Sequence, residues 1–139
     1  MPTPLEGFAC PCCGLYRVSN RLITLDELLH IAFGDRLRRS SGTRCRAYNT
    51  SEEIKGSRTS GHLPIWGPEN NESVAGDYEL IDATETDLRR LMWTAIQEGA
   101  LGVGYMPDDN ALHVDLKPRG YGVALWIVRD GKITYFFNI

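Results

Sequence analysis

No stretch of the 139-residue sequence comes near the ~18 consecutive apolar residues that a membrane-spanning helix requires. The first residues, Met1-Pro-Thr-Pro-Leu-Glu-Gly7, lack the basic and then apolar stretches of a secretory signal, so the chain is expected to be made in the cytoplasm. Positive charge is not in surplus either. Fifteen Lys and Arg face eighteen Asp and Glu, a net charge of −3, which excludes a general nucleic-acid binder with its broad basic face. The one basic cluster, Arg36-Leu37-Arg38-Arg39, reads as a solvated face beside Asp26, Glu27 and Asp35. There is no internal repeat and no low-complexity tract, and no H-E-x-x-H helix, which excludes the common helical zinc-protease arrangement. A second cysteine pair is also missing. Three of the four cysteines crowd into Cys10-Pro11-Cys12-Cys13-Gly14 and Cys45 stands alone, whereas a structural zinc site typically draws on two separated pairs. The thiols therefore read as small, buried and reduced. Two alternatives stay open: Cys10, Cys13 and Cys45 around a metal, or one of the first group bridged to Cys45.

What is present suits one domain spanning 1–139. An apolar share of 42% and a charged share of 24% are ordinary for a soluble globular chain of a length that buries its own core. Residues 5–18, the cysteine-containing segment, read as irregular or weakly extended. Thr24-Leu-Asp-Glu27 has the capping-box pattern, and Leu25, Leu28, Leu29, Ala32 and Phe33 follow at helical spacing up to Gly34. A short strand includes Leu37 and ends near Ser41-Gly42, and a short helix is predicted over Ala47 to Ile54. Gly61 to Gly76 reads as a long exposed loop, of a length that is often functional. A strand is expected over Tyr78–Ala83, then a helix capped by Thr84 or Thr86 with the apolar stripe Leu88, Leu91, Met92, Ala95 and Ile96 and with Gly99 at its end. Leu101–Met106 and Ala111–Leu116 read as antiparallel strands about the turn at 107–110. Within 122–139, Gly122–Val128 and Lys132–Phe137 flank the hairpin signal Asp130-Gly131. Helices early and in the middle, with strands arriving as hairpins, predict an α+β domain with a small, mostly antiparallel sheet and helices packed on it.

The chemistry-bearing residues lie in two segments, Ser60-Gly61-His62 and His113-Val114-Asp115. On a strand, Ala111, His113 and Asp115 share one face, so His113 and Asp115 are close enough to act as a ligand with its base or its orienting partner. That face could equally be a polar, solvated strand side. His62 alone would be an exposed loop residue, but with His113 and a downstream carboxylate it becomes a candidate zinc ligand. His30, among apolar helix neighbours, reads as a packing or surface residue.

Five segments occur in a telling order: Phe8-Ala-Cys-Pro-Cys-Cys-Gly14, Ser41-Gly-Thr-Arg44-Cys-Arg-Ala-Tyr-Asn49, Gly56-Ser-Arg-Thr-Ser60-Gly-His62, Gly102-Val-Gly-Tyr105 and Leu112-His-Val-Asp115. Together, over roughly residues 8–118, they resemble the zinc D-alanyl-D-alanine carboxypeptidases and L-alanyl-D-glutamate endopeptidases of peptidoglycan, phage endolysins among them. The resemblance implies the D-Ala-D-Ala carboxypeptidase or Hedgehog-like fold, with Zn²⁺ in a cleft on His62, an aspartate and His113. It also implies Arg44 on a substrate carboxylate, and Ser60 either bonding substrate or tightening the turn before His62. The family pattern S-x-H-x-x-G-x-A-x-D is interrupted here: Ile65 takes the glycine position, and the next A-x-D is Ala75-Gly76-Asp77. Residues 63–75 are therefore expected to hold an inserted loop and Asp77 to be the third ligand, with Asp82 as its rival. The acid that many members carry three positions before the last histidine is Asn110 here, and a neutral amide cannot accept a proton from water. Asp115 is then the expected base or ligand-orienting partner, and Asp109 the second candidate.

The resemblance thus implies a monomeric peptidase acting on peptidoglycan peptide, with no nucleic-acid partner, delivered to the wall by another agent. A phage or prophage product fits that description. The alternative is a non-catalytic, zinc-stabilised structural or cell-wall-binding domain, for example a virion component.

Overall fold

The structure, a computed structural model, describes residues 5–120 and 122–136. Residues 1–4 of the leader reading and Phe137 of the last predicted strand lie outside the described residues. The domain is α+β, with three α-helices among the described residues, α1 (Asn20–Phe33), α2 (Arg46–Asn49) and α3 (Glu85–Gln97), and six strands. The strands are β1 (Leu37–Ser41), β2 (Ala75–Leu80), β3 (Gly102–Met106), β4 (Ala111–Asp115), β5 (Ala124–Arg129) and β6 (Lys132–Phe136).

The helix ends show where local chemistry prevailed. Of the two expected caps Thr84 and Thr86, Thr84 starts α3: it accepts from the Asp87 amide while Asp87 reaches back to the Thr84 amide, and Gly99 (φ +107°) follows the last turn. Helix α1 starts earlier than the Thr24 pattern predicts. Ser19 is the cap, its hydroxyl accepting from the Leu22 amide at 3.1 Å, which brings Leu22 onto the buried stripe with Leu25 and Leu29. Helix α2 is one turn rather than the predicted Ala47–Ile54. The Thr50 and Ser51 hydroxyls donate back to the Arg46 and Tyr48 carbonyls at 2.9 and 2.6 Å, which offers the backbone an alternative to helix.

The six strands form one sheet in the order β1-β2-β4-β3-β5-β6. It is mixed: β3 and β5 run parallel and the other neighbours antiparallel. Strand β2 begins at Ala75, three residues before the expected Tyr78, because Ala75 pairs with Asp115. Asp130 and Gly131 both have positive φ (+51° and +72°), as the two-residue hairpin turn requires, and β5–β6 extend the same sheet.

One sheet face carries Tyr78, Leu80, Val103, Tyr105, Leu112 and Val114 into the core with α1 and α3. Burial of that face is the main stabilising contribution, at about 25 cal/mol per Å² of apolar surface. A polar group sits inside it. Asp26 accepts from Arg39 Nε and Nη2 (3.0 and 2.6 Å) and from the Tyr78 hydroxyl (2.6 Å), and its backbone carbonyl accepts from His30 Nδ1 (2.8 Å). The expectation of a solvated Arg36–Arg39 face is therefore corrected. The period-two alternation of β1 turns Leu37 and Arg39 inward and leaves Arg38 out, while Arg36 pairs with Asp87 at the surface. The long loop is likewise not exposed throughout. His62, Leu63, Ser73 and Val74 are buried, Trp66 and Glu72 pair across it, and only its tip at 67–71 stands in solvent. The opposite sheet face, bordered by this loop, carries the polar residues.

Candidate metal centre

One row of residues crosses all six strands: Ser41, Asp77, His113, Gly104, Trp126 and Tyr135 are successive register partners. Asp77 and His113, far apart in the chain, are thereby direct cross-strand neighbours, and Asp77 Oδ1 lies 3.0 Å from His113 Nδ1. Gly104 explains the next step of the row. A Cβ there would meet Trp126 Nε1 at 2.6 Å, so the missing side chain lets the indole lie beside the His113 ring, centroids 5.3 Å apart. In the adjacent row Gly102 opposes Asp115. A Cβ at Gly102 would come within 2.6 Å of Asp115 and Arg119, so the G-x-G spacing makes room for both the indole and this ion pair.

His62 reaches the row from the loop. The Val74 amide bonds Gly61 O and the Arg44 amide bonds His62 O, each at 2.8 Å, and His62 Nδ1–H donates to Gly42 O at 2.7 Å. Its Nε2 then faces Asp77 Oδ1 at 3.3 Å. One ligand atom from each of His62, Asp77 and His113 lies within 4.8 Å of the others, a group able to hold a metal ion. The structure thus brings Asp77 to the two histidines. Asp82 sits in the turn after β2, and Asp109 in the exposed turn Pro107–Asp109, at the end of β4 opposite Asp115.

His113 Nε2–H donates to Asp115 Oδ2 at 2.8 Å. Arg119 grips the same carboxylate with both Nη atoms (2.7 and 2.9 Å), and the Lys117 amide donates to Oδ1 at 3.0 Å. Burial alone would push the Asp115 carboxyl up, but the Arg119 and His113 donors and their charges hold it well below the usual carboxylate range. Burial would likewise push Asp77 up, and the two histidines hold it well below its ordinary value. For His113, burial pulls the imidazolium pKa down, but the bonds to Asp115 and Asp77 outweigh it and raise it to about 9.

No family model, curated protein or solved structure matches the chain.

Arg44 Nη2 donates to Asp77 Oδ2 at 3.0 Å, and Arg44 Nε is buried with no partner among the described residues. Ser60 Oγ accepts from the His62 amide at 3.2 Å and Trp66 Nε1 donates to Ser60 O at 3.0 Å, so Ser60 shapes the turn that presents His62. A cleft of about 470 Å³ opens over the His113, Trp126 and Tyr135 part of the row and is lined also by Ser60, Asp115, Lys117 and Arg119, whereas Arg44 and Asp77 line a separate pocket with Ser41 and Gly42. Arg119, Lys117 and Trp126 were not legible as site residues. Arg119 follows Asp115 by four positions outside any helix, and Trp126 meets His113 only through a parallel strand pair. The spacing Gly102-x-Gly104 was the one available signal.

The cysteines form a separate group. Cys10, Cys12, Cys13 and Cys45 each place a sulfur within 4.8 Å of the others, again close enough to hold a metal ion. The expectation of small buried thiols is corrected: Cys10 is buried, Cys45 half-buried, and Cys12 and Cys13 are exposed. Burial would raise the Cys10 pKa, but the Cys45 and Cys12 amides and the neighbouring thiols together lower it to about 7.

Proposed function

We propose that the protein is a zinc-dependent hydrolase of peptide bonds in peptidoglycan stem peptides, of the D-Ala-D-Ala carboxypeptidase or L-Ala-D-Glu endopeptidase type. The observation that carries this reading is the convergence of His62 Nε2 and His113 Nδ1 on Asp77 Oδ1, at 3.3 and 3.0 Å. The other nitrogen of each ring is committed to an oxygen acceptor, Gly42 O for His62 and Asp115 for His113. Both rings therefore turn a metal-binding nitrogen toward one carboxylate, and two imidazoles, one carboxylate and an oriented second tier are the donor set of a catalytic zinc site. His62, Asp77 and His113 would hold a zinc ion that would supply a water of pKa about 7 and a polarised scissile carbonyl.

The chain's own residues supply the rest. The resemblance assigns Arg44 to a substrate carboxylate, a role that its planar guanidinium suits, although in this structure its Nη2 is held by Asp77 Oδ2. Lys117 and Arg119 add positive charge to the cleft, which favours an acidic peptide, and Trp126 forms an apolar wall beside His113. Asp115 keeps His113 in one tautomer and one orientation. A carboxylate offers about four lone-pair sites, and on Asp115 all are occupied by His113, the Lys117 amide and the two Arg119 contacts. For Asp115 to take a proton, one of those donors has to leave. The order of the sequence segments that resemble peptidoglycan peptidases supplies the substrate class.

That saturation of Asp115 also favours a second reading, in which the domain binds zinc and cell-wall peptide without cutting it. Metal analysis combined with mass spectrometry of digested muropeptides separates the two. Shortened stem peptides, lost in His113→Ala, support the hydrolase. Bound zinc and bound muropeptide without any product establish the binding domain instead.

A further inference from the structure

Two ends of the chain's first third meet at the cysteines, away from the His62–Asp77–His113 group. Cys10 Sγ and Cys12 Sγ are 3.6 Å apart, and Cys12 Sγ and Cys45 Sγ 3.3 Å. A tetrahedral zinc with bonds of about 2.3 Å places its sulfurs about 3.8 Å from one another; these two separations fall just inside that value, and all four sulfurs lie within 4.8 Å of one another. It is far from the ~2.05 Å of a disulfide, and all four cysteines are free. The backbone is arranged for the same purpose. Between Cys10 and Gly14 the chain turns back on itself, Gly14 N bonding Cys10 O and Cys10 N bonding Leu15 O, each at 2.8 Å. Gly14 takes φ +76°, a conformation that disfavours other residues, so the turn after Cys13 is closed without strain. The amides of Cys45 and Tyr48 donate to Cys10 Sγ and Cys45 Sγ, both at 3.4 Å, and fix both sulfurs in place.

We propose that Cys10, Cys12, Cys13 and Cys45 bind a structural zinc ion, distinct from any metal at His62, Asp77 and His113. Four thiolates in a tetrahedral shell select a soft, structural cation and leave no position for water. The ion joins the Cys10–Gly14 turn to the segment 42–45, whose Gly42 carbonyl holds His62 and whose Arg44 reaches Asp77. It therefore braces the segment that orders the other site, without taking part in its chemistry.

The test uses the full chain, purified with zinc and without chelator. A mercurial thiol reagent is titrated in while released zinc is read with a chelating dye. Release of about one zinc per chain in step with thiol modification is expected, and the count is independent of what the histidines bind. The His62→Ala, His113→Ala double variant is expected to keep that zinc, and after exchange with cobalt to show thiolate-to-cobalt charge-transfer absorption. A wild-type chain with no thiol-releasable zinc, with iron in its place, or with a disulfide to Cys45 by mass spectrometry overturns the proposal. Because the wild-type titration involves no substitution, an unfolded variant cannot mask the result. Loss of muropeptide cleavage with the thiol-bound zinc still present would count against the hydrolase reading alone.

Discussion

His113 donates Nε2–H to Asp115 at 2.8 Å, and Asp115 is simultaneously gripped by Arg119 from the segment that follows β4. The pair turns the His113 ring so that its other nitrogen faces Asp77. A carboxylate that orients a ligand and one that accepts a proton during turnover behave differently when neutralised.

Asp115→Asn is the variant that distinguishes those roles. An orienting residue is expected to cost roughly 10–100-fold in zinc affinity, with turnover largely recovered at saturating zinc. A general base would cost roughly 10²–10⁴-fold in kcat whatever the zinc concentration. Zinc titration alongside muropeptide kinetics reads both, and the first outcome is the expected one.

The metal-free protein should respond to pH through His113. Its folded pKa, raised to about 9, lies above the ordinary value of 6.5, so its protonated ring stabilises the fold fully below about pH 6.5. That contribution fades as pH rises through 9. Zinc has to displace the proton on Nδ1, so its apparent affinity should rise with pH by up to about tenfold per unit over the same window. Competition titrations against a chelator of known affinity provide the check, and an affinity flat across this range would sink the assignment.

Gly102→Ala should disturb the site from behind. Its new Cβ would lie within 2.6 Å of the Asp115 carboxylate and the Arg119 guanidinium. A loss of about 1–3 kcal/mol in stability is expected, together with weakened zinc binding. Calorimetry and zinc titration should move together; stability falling with unchanged zinc affinity would separate the ion pair from the metal centre.

Arg44→Lys keeps the charge but loses the planar fork. A rise in KM of roughly 10–100-fold is expected for a substrate with a free carboxylate, from the ~1.5–3 kcal/mol of a hydrogen bond to a charged group. A neutralised, amidated substrate should show little difference between the two proteins.

Asp26→Ala addresses the fold and not the chemistry. Arg39 is fully buried at its side chain and bonds Asp26 with two nitrogens. Removing the carboxylate should cost about 3–5 kcal/mol of stability, visible as a lowered denaturation midpoint by urea titration.

Features set by near neighbours in the chain were the ones legible beforehand. The start of α3 at Thr84 or Thr86, the Asp130–Gly131 turn and the apolar stripe of α3 depend on residues within one or two turns of each other, so spacing alone carried them, and the Asp87 bond then settled the cap on Thr84. The α+β class followed from the order of such elements. The local signal misled where two caps competed: Thr24 matched the pattern, but Ser19 starts α1 because the helix from there buries Leu22 as well. The burial of Arg39 was hidden for a related reason, since its partner Asp26 sits on another element and only packing turns β1 so that they meet.

The sequence by itself thus determined which residue types were available: two histidines flanked by glycine and aspartate, a G-x-G spacing, a crowded cysteine run. Tertiary structure decided which of them meet. Register across the sheet chose Asp77 over Asp82 as the neighbour of His113, and put Trp126 beside the ring through a parallel pairing. Chain reversal brought Cys45 to the Cys10–Gly14 turn, although half of a usual cysteine motif is missing. The physical reason is the same in each case. Contacts between distant segments depend on the pairing and packing of whole elements, and no local spacing of residues encodes those.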